Sequence, residues 1–335
     1  MLIIAPGKTP RDRVVEIEAP RVGFEGIVTV QLGRNLRAGD KNPLILREWQ
    51  FKNLIVDAGI DQIMNGSTAI NQMLGYLAVG TNSTAPAASD TGLGAEVTRV
   101  NSNGGFADTV GDGASFEYRW LKRTRLFLEA EGNGNLTECG FFKNAAGAPM
   151  WMRQLFKDSG GTPTTIIKTA ADQLRVIYEL RVYPPNSDVA GTIAISATNY
   201  DYVHRAAEAD NIMWTLDTIQ NFAGNVWFAA NSTSGAALET QTLGSRTQAP
   251  SGTAEVTSSV SYSAYVNGNF YRDATHIWEP SKGNFTLGVG ATTLNFRGDS
   301  ANTQPQFQTS WTPRFSKDNT KRLTLVTRVT MSRYP

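Results

Sequence analysis

A single cysteine, Cys139, and two histidines, His204 and His276, are all that the 335-residue chain offers toward thiol or imidazole chemistry. One cysteine excludes an intramolecular disulfide, so the fold is not a disulfide-stapled scaffold. Neither histidine stands at a metal-ligand spacing and Cys139 has no cysteine partner, which excludes a zinc pattern. Charge is scarce as well. Charged residues make up 18% of the chain, and 31 Lys and Arg against 30 Asp and Glu leave a net charge of +1. Such a balance gives no overall drive toward nucleic acid or an anionic membrane, and we expect neither as a partner. Long apolar runs are missing, so no membrane-spanning helix is expected. The start, "MLIIAPGKTPRDR", lacks the apolar core of a signal peptide, which points to synthesis in a cytoplasm.

What is present is the vocabulary of strands and turns. Gly, Ser, Thr and Asn are plentiful and aromatics reach 10%. "GIVTVQL" and "NPLILREWQF" alternate or are β-branched. So are "YLAVG", "FEYRWLKRTRLFLEA", "LTECGFF", "PMWMRQLF", "LRVIYELRVYP", "GTIAISATNY", "NVWFAA", "SVSYSAYV", "FTLGVG", "PQFQTSWTP" and "RLTLVTRVTMSR". Their spacing predicts a mainly β chain of sandwich-like domains rather than strand–helix–strand units. One segment differs. "NLIVDAGIDQIMNG" carries Leu54, Ile55, Ala58, Ile63 and Met64 near helical spacing, with Gly66 as a stop and Gly59 as a weak point.

The chain repeats itself. "YLAVGTNSTAPAASDTGLG" (76–94) is echoed by "VWFAANSTSGAALETQTLG" (226–244). Asn82 and Asn231, Asn135 and Asn284, Lys168 and Lys317, and Leu174 and Leu323 are all 149 apart. Gly26 and Gly191, and Trp49 and Trp214, are 165 apart. Two consistent offsets predict two diverged copies of one β domain, 22–185 and 186–335, after an arm at 1–21. The copies differ by an insertion of 165 − 149 = 16 residues at the helical segment. The arm's "LII" and "VV" are too few for a core, and we expect the arm to add a strand to a neighbouring subunit.

Catalytic signals are thin. No phosphate loop and no nucleophile elbow occur. Asp108 and Asp112 in "SNGGFADTVGDGAS" have the oxygens for Ca²⁺, but a flexible hairpin loop is the favoured reading. Glu117, Glu129, Glu131 and Glu138 lie on or near strands, and paired carboxylates cleave glycosides, which keeps a depolymerase as an alternative. "YRWLKRTR" mixes bases with aromatics as a nucleic-acid groove would. Arg119, Lys122 and Arg125 cannot share one strand face, however, and we read a solvated strand with its apolar residues inward. Cys139, inside "LTECGFF", reads as a small buried hydrophobe. The Asn-x-Ser/Thr sites at Asn65, Asn82, Asn135, Asn231 and Asn284 have no meaning without secretion. No catalytic, cofactor or metal residue is assigned.

"EWQFKNLIVDAGIDQIM" followed by "GYLAVGTNSTAPAASDTGLGAEVTR", then "LTECGFF" and "LRVIYELRVYP", resembles tail-associated and other virion structural proteins of tailed bacteriophages. Matching features are Lys-Asn-Leu-Ile, a short Asp-Ala-Gly helix, a strand ending in Val-Gly-Thr, and a Thr-Ala-Pro turn. The resemblance covers residues 46–185. It implies an assembly part rather than an enzyme, built into a virion after synthesis in the host cytoplasm. Its partners would be copies of itself and other tail or head proteins. A fibre, baseplate, collar or appendage part is the leading expectation. A capsid decoration or head-fibre protein is the rival, and a host-glycan adhesin or depolymerase is the alternative from another class.

Overall fold

The computed structural model describes residues 12–18, 21–65, 70–195, 198–206, 208–209, 246, 259–281, 286–292, 307–316 and 318–335. Through the first half run β1 (Asp12–Glu18), β2 (Val22–Arg34), β3 (Leu44–Lys52), β4 (Leu54–Ile55), α1 (Asp57–Met64), α2 (Ile70–Met73), β5 (Tyr76–Gly80) and β6 (Glu96–Val100). Then come β7 (Thr109–Asp112), β8 (Arg119–Phe127), β9 (Gly134–Leu136), β10 (Glu138–Phe142), β11 (Met150–Leu155), β12 (Ile166–Lys168) and β13 (Gln173–Tyr183). The second half holds β14 (Val189–Ile195), β15 (Thr198–Ala206), β16 (Ser259–Tyr262), β17 (Tyr271–Trp278), β18 (Thr286–Thr292), β19 (Phe307–Ser316) and β20 (Arg322–Arg333). The chain is mainly β with short helices, as its alternating pattern predicts.

Two sheets face each other across the core. One follows the order β16-β17-β20-β2-β13-β8-β7, with β3 on β2 and β1 on β20; the other is β4-β11-β10-β5-β6. Alternation sends Phe24, Val28 and Val30 of β2 and Leu174, Val176 and Tyr178 of β13 toward the second sheet, where all are buried. They meet Leu77, Val79, Cys139, Phe141 and Trp151 in one apolar cluster. Phe24 packs edge-on against Trp151 at 6.0 Å, and Trp151 Nε1 donates to the Tyr178 hydroxyl at 2.9 Å. Helix α1 closes one side. Its Gly59 lies so near β11 that a Cβ would come 2.8 Å from the Trp151 carbonyl oxygen. The glycine that weakens the helix locally is what lets it dock.

The sheet does not stop at the boundary between the two halves. Val22, Gly23 and Phe24 pair in parallel with Met331, Ser332 and Arg333. Asp61 of α1 accepts hydrogen bonds from the Tyr265 hydroxyl and the Gly268 amide, and Arg333 donates to the Ile55 carbonyl and to Asp57. Strands β7-β8-β13 and β16-β17-β20 run in the same order and antiparallel sense, and Leu174 and Leu323 are both buried. The place that β2 takes beside β13 is taken beside β20 by β1 and the first residues of β2, whereas β14 joins β15, β19 and β18 in a separate sheet. Trp214, Asn231 and Asn284 lie outside the described residues.

Three local expectations are corrected. Leu54 and Ile55 are not helical: they pair with Arg153 and Met152 of β11, and Val56, extended at φ −85° and ψ 160°, precedes the helix. "GTIAISATNY" is not one strand but both arms of the β14–β15 hairpin, with Ile195 opposite Thr198. The arm does add a strand, but within its own chain: Asp12–Glu18 pairs in parallel with Arg322–Arg328, an edge of β20 that would otherwise stand open.

Candidate functional site

Residues 81–95, which carry the Thr-Ala-Pro turn of the resemblance, lie over the outer face of the five-stranded sheet. The faces follow from register. Glu138 stands opposite Gly80 and Leu155, and Gly140 opposite Ala78 and Arg153, so Glu138 and Arg153 share the face turned away from the core. Two glycines leave room beneath the loop. A Cβ on Gly80 would meet Glu138 Oε1 at 2.6 Å, and one on Gly94 would meet Asn82 Nδ2 at 1.6 Å.

Glu138 is wholly buried. Its carboxylate accepts from the amides of Asn82 at 3.3 Å, Gly94 at 3.3 Å and Ala95 at 3.0 Å, and from Arg153 Nε at 2.7 Å. Arg153, almost as buried, reaches on to Asp90 at 2.8 Å and to the Thr84 carbonyl at 3.0 Å. Burial works against the guanidinium's charge, but the bonds to Asp90 and Glu138 outweigh it and hold its pKa above the ordinary value. The Thr137 hydroxyl adds a bond to the Asn82 carbonyl at 2.9 Å. The result is a clamp: both ends and the middle of the loop are tied to two side chains of the sheet. Chemically it is saturated, because the oxygens of Glu138 already accept four N–H groups. A general acid or base needs a lone pair or proton facing a reactant, and this carboxylate has none to offer.

The other sequence candidates are dispersed. Asp108 pairs with Arg123, and Asp112 with Arg119 at 2.5 Å, so arginines of β8 occupy the carboxylates weighed for Ca²⁺. No cluster of three His, Cys, Asp or Glu suited to a metal occurs among the described residues. Glu129 accepts from Gln173 and Glu131 from the Leu128 amide, each at 2.8 Å, while Glu117 stays exposed. The reading of "YRWLKRTR" as a solvated strand is corrected. Arg119, Arg123 and Arg125 share the parity of Leu121 and Phe127, which lie in the core. Arg125 donates to the carbonyls of Leu74 and Gly75, both at 2.8 Å, and Arg123 to that of Asn71, so they cap the end of α2. Lys122 and Trp120 lie on the opposite face, the ammonium 4.5 Å from the ring centroid.

Cys139 is buried in the core, and its thiol is pushed up to about 12 by burial and by the charge of Glu138, so it carries no thiolate at neutral pH. Asn65 follows α1, Asn82 belongs to the clamp and Asn135 lies on β9, while Asn231, Asn284 and the side chain of His276 fall outside the described residues. Lys168, also buried, entered the sequence reading only as the repeat partner of Lys317. Its ammonium donates to the carbonyls of Leu128 and Glu129 and to Asn133, closing the turn after β8.

His204, on β15, is buried, and burial lowers its imidazole to about 4 against the opposing pull of Asp188. The folded state therefore holds it neutral while the unfolded chain, at an ordinary 6.5, takes up a proton. Stability from this group is complete above pH 6.5 and declines as the pH falls toward 4, by up to about 3 kcal/mol. Denaturant unfolding of the wild type and of His204→Gln at pH 7 and pH 4.5 checks this. The variant should lose less stability between the two pH values than the wild type; equal losses would place the acid sensitivity elsewhere.

No helix among the described residues is long and apolar enough to cross a membrane. Comparison with protein-family models, with curated proteins and with solved structures finds no match to this chain.

Proposed function

We propose that the chain is a structural part of a tailed-bacteriophage virion, tail-associated, and that it works by assembly rather than by catalysis. The observation that carries this reading is that the residues of the resemblance meet one another. Gly80, Asn82, Thr84, Asp90 and Gly94 converge on Glu138 and Arg153, which stand outside the turn itself. The shared pattern is thus the recipe for a rigid, two-faced sheet. That is what a part needs when it must hold by burial without disulfides.

A second observation supports assembly. Strand β3 pairs with β2 alone among the described residues, and its Leu44, Ile45 and Leu46 are 48%, 42% and 48% exposed. An apolar edge of this kind is normally covered. Copies of the chain and neighbouring tail proteins are the partners we assign, with the head as the alternative location. Gold-labelled antibody against the purified chain, applied to virions of the phage that encodes it, tests the reading. Label on the tail is expected. Label confined to the head would make it a decoration protein, and virions without label would end the proposal.

A further inference from the structure

At one end of the larger sheet, β13 ends at Tyr183, β2 begins at Val22, and the chain leaves β20 at Tyr334. Between them lies a cleft of about 310 Å³, at the small end of the roughly 300–1,000 Å³ typical of ligand sites. Its walls are fixed in advance. Tyr183 and Tyr334 stack with ring centroids 3.7 Å apart and 12° between planes, and Tyr118 leans on Tyr183 at 5.1 Å. The Tyr183 hydroxyl donates to Glu25 at 2.7 Å, and the Tyr334 amide donates to the Phe24 carbonyl at 2.7 Å. Gly23 has no side chain to push Tyr334 away: a Cβ there would sit 2.9 Å from the ring.

Arg333 is committed to Ile55 and Asp57. Arg21, Glu117, Asn186 and Ser332 line the same space, and no hydrogen bond or ion pair occupies their side chains among the described residues. One cation, one carboxylate, one amide and one hydroxyl form a mixed set of donors and acceptors with no excess of sign. A phosphate would call for several cations, and a metal for more than one carboxylate. The apolar share of the wall is flat and stiff. Tyr334 keeps 45% of its surface exposed after stacking, and Pro184 and Pro185 add two fixed rings. Flat apolar rings beside planar polar side chains suit a pyranose, whose C–H face lies against a ring and whose hydroxyls both donate and accept.

We propose that the cleft bordered by Tyr183, Tyr334, Glu117 and Asn186 binds a saccharide. Glu117 and Asn186 would take its hydroxyls and Tyr334 its apolar face. The binding role stands apart from the assembly role, since it needs only the single chain.

The full-length chain is to be screened by saturation-transfer NMR against lactose, maltose, chitobiose and digalacturonate, and any binder titrated by calorimetry. The neutral disaccharides and the uronate separate a hydroxyl-reading cleft from one that uses Arg21 for charge. At least one of the four should bind, and Glu117→Gln, Asn186→Ala and Tyr334→Ala should each weaken it about tenfold or more. Glu117→Gln and Asn186→Ala alter side chains without partners among the described residues, so their melting temperatures should match the wild type. They carry the test if Tyr334→Ala disturbs the fold. Failure of all four sugars to bind at millimolar concentration, binding that survives the variants, or competition by a proline-rich peptide in place of a sugar would each overturn the assignment.

Discussion

Glu138→Ala is expected to cost about 3–5 kcal/mol, the range for breaking a buried ion pair from one side. In a chain of this size that is a fall of roughly 10 °C in melting temperature. The loss has two parts. Arg153, nearly inaccessible, keeps Asp90 but loses its fully buried partner. The amides of Asn82, Gly94 and Ala95 lose the acceptor that orders both ends of the loop. Limited proteolysis should then cut between residues 81 and 95 while the strands on either side stay protected. Double replacement of Glu138 and Arg153 by apolar residues should restore part of the stability but not the protection, because Asp90 and the loop amides stay unpaired. A loss below about 1 kcal/mol in the single variant would mean that the loop is held by its flanking strands and not by the clamp.

The clamp also shows where sequence reading reached and where it stopped. Period-two alternation located β13, because a strand buried on one face writes its orientation into every second residue, whereas β5, β10 and β11, buried on both faces, were legible only as short apolar runs. The turn between 81 and 95 was legible as turn chemistry, from Pro86, Asp90 and the glycines around it. Its anchors were not. Glu138 is 44 residues from Gly94, and Arg153 is 63 from Asp90. Such partners follow from sheet register, which no local pattern encodes. A charged residue inside an otherwise apolar strand, as in "LTECGFF", was the available signal: burying it requires a partner of opposite charge. The arginines of "YRWLKRTR" were misread for a related reason. Arg123 and Arg125 point inward at the carbonyls that end α2, and α2 itself, only Ile70–Met73, is too short to announce itself by periodicity. The cleft beside Tyr334 assembles segments from residues 21, 117, 183 and 334, and only the folded chain brings these together.

The bulge in β11 leads to the other large effect. Plain alternation would put Trp151 on the face of Arg153, outside the core. The register between β10 and β11 slips at Phe141/Phe142: Phe141 pairs with Met152 but Phe142 with Met150, which leaves Trp151 as the extra residue. The slip turns its indole inward, where it meets Phe24 and donates to Tyr178, and where the Gly59 turn of α1 rests on its backbone. Three elements therefore lean on one ring: both sheets and the helix. Trp151→Ala should cost about 3–5 kcal/mol, the range for emptying a large aromatic site, and leaves the hydroxyl of the buried Tyr178 without its donor. The indole of Trp120 lies on the outer face under Lys122, and Trp120→Ala there should cost under about 1 kcal/mol. Parallel denaturant titrations of the two variants measure the contrast. Near-UV circular dichroism should lose its sharp tryptophan structure only in Trp151→Ala. If the two losses are equal, the slip does not place Trp151 at the centre of the fold, and the packing of α1 against β11 must be held by its neighbours.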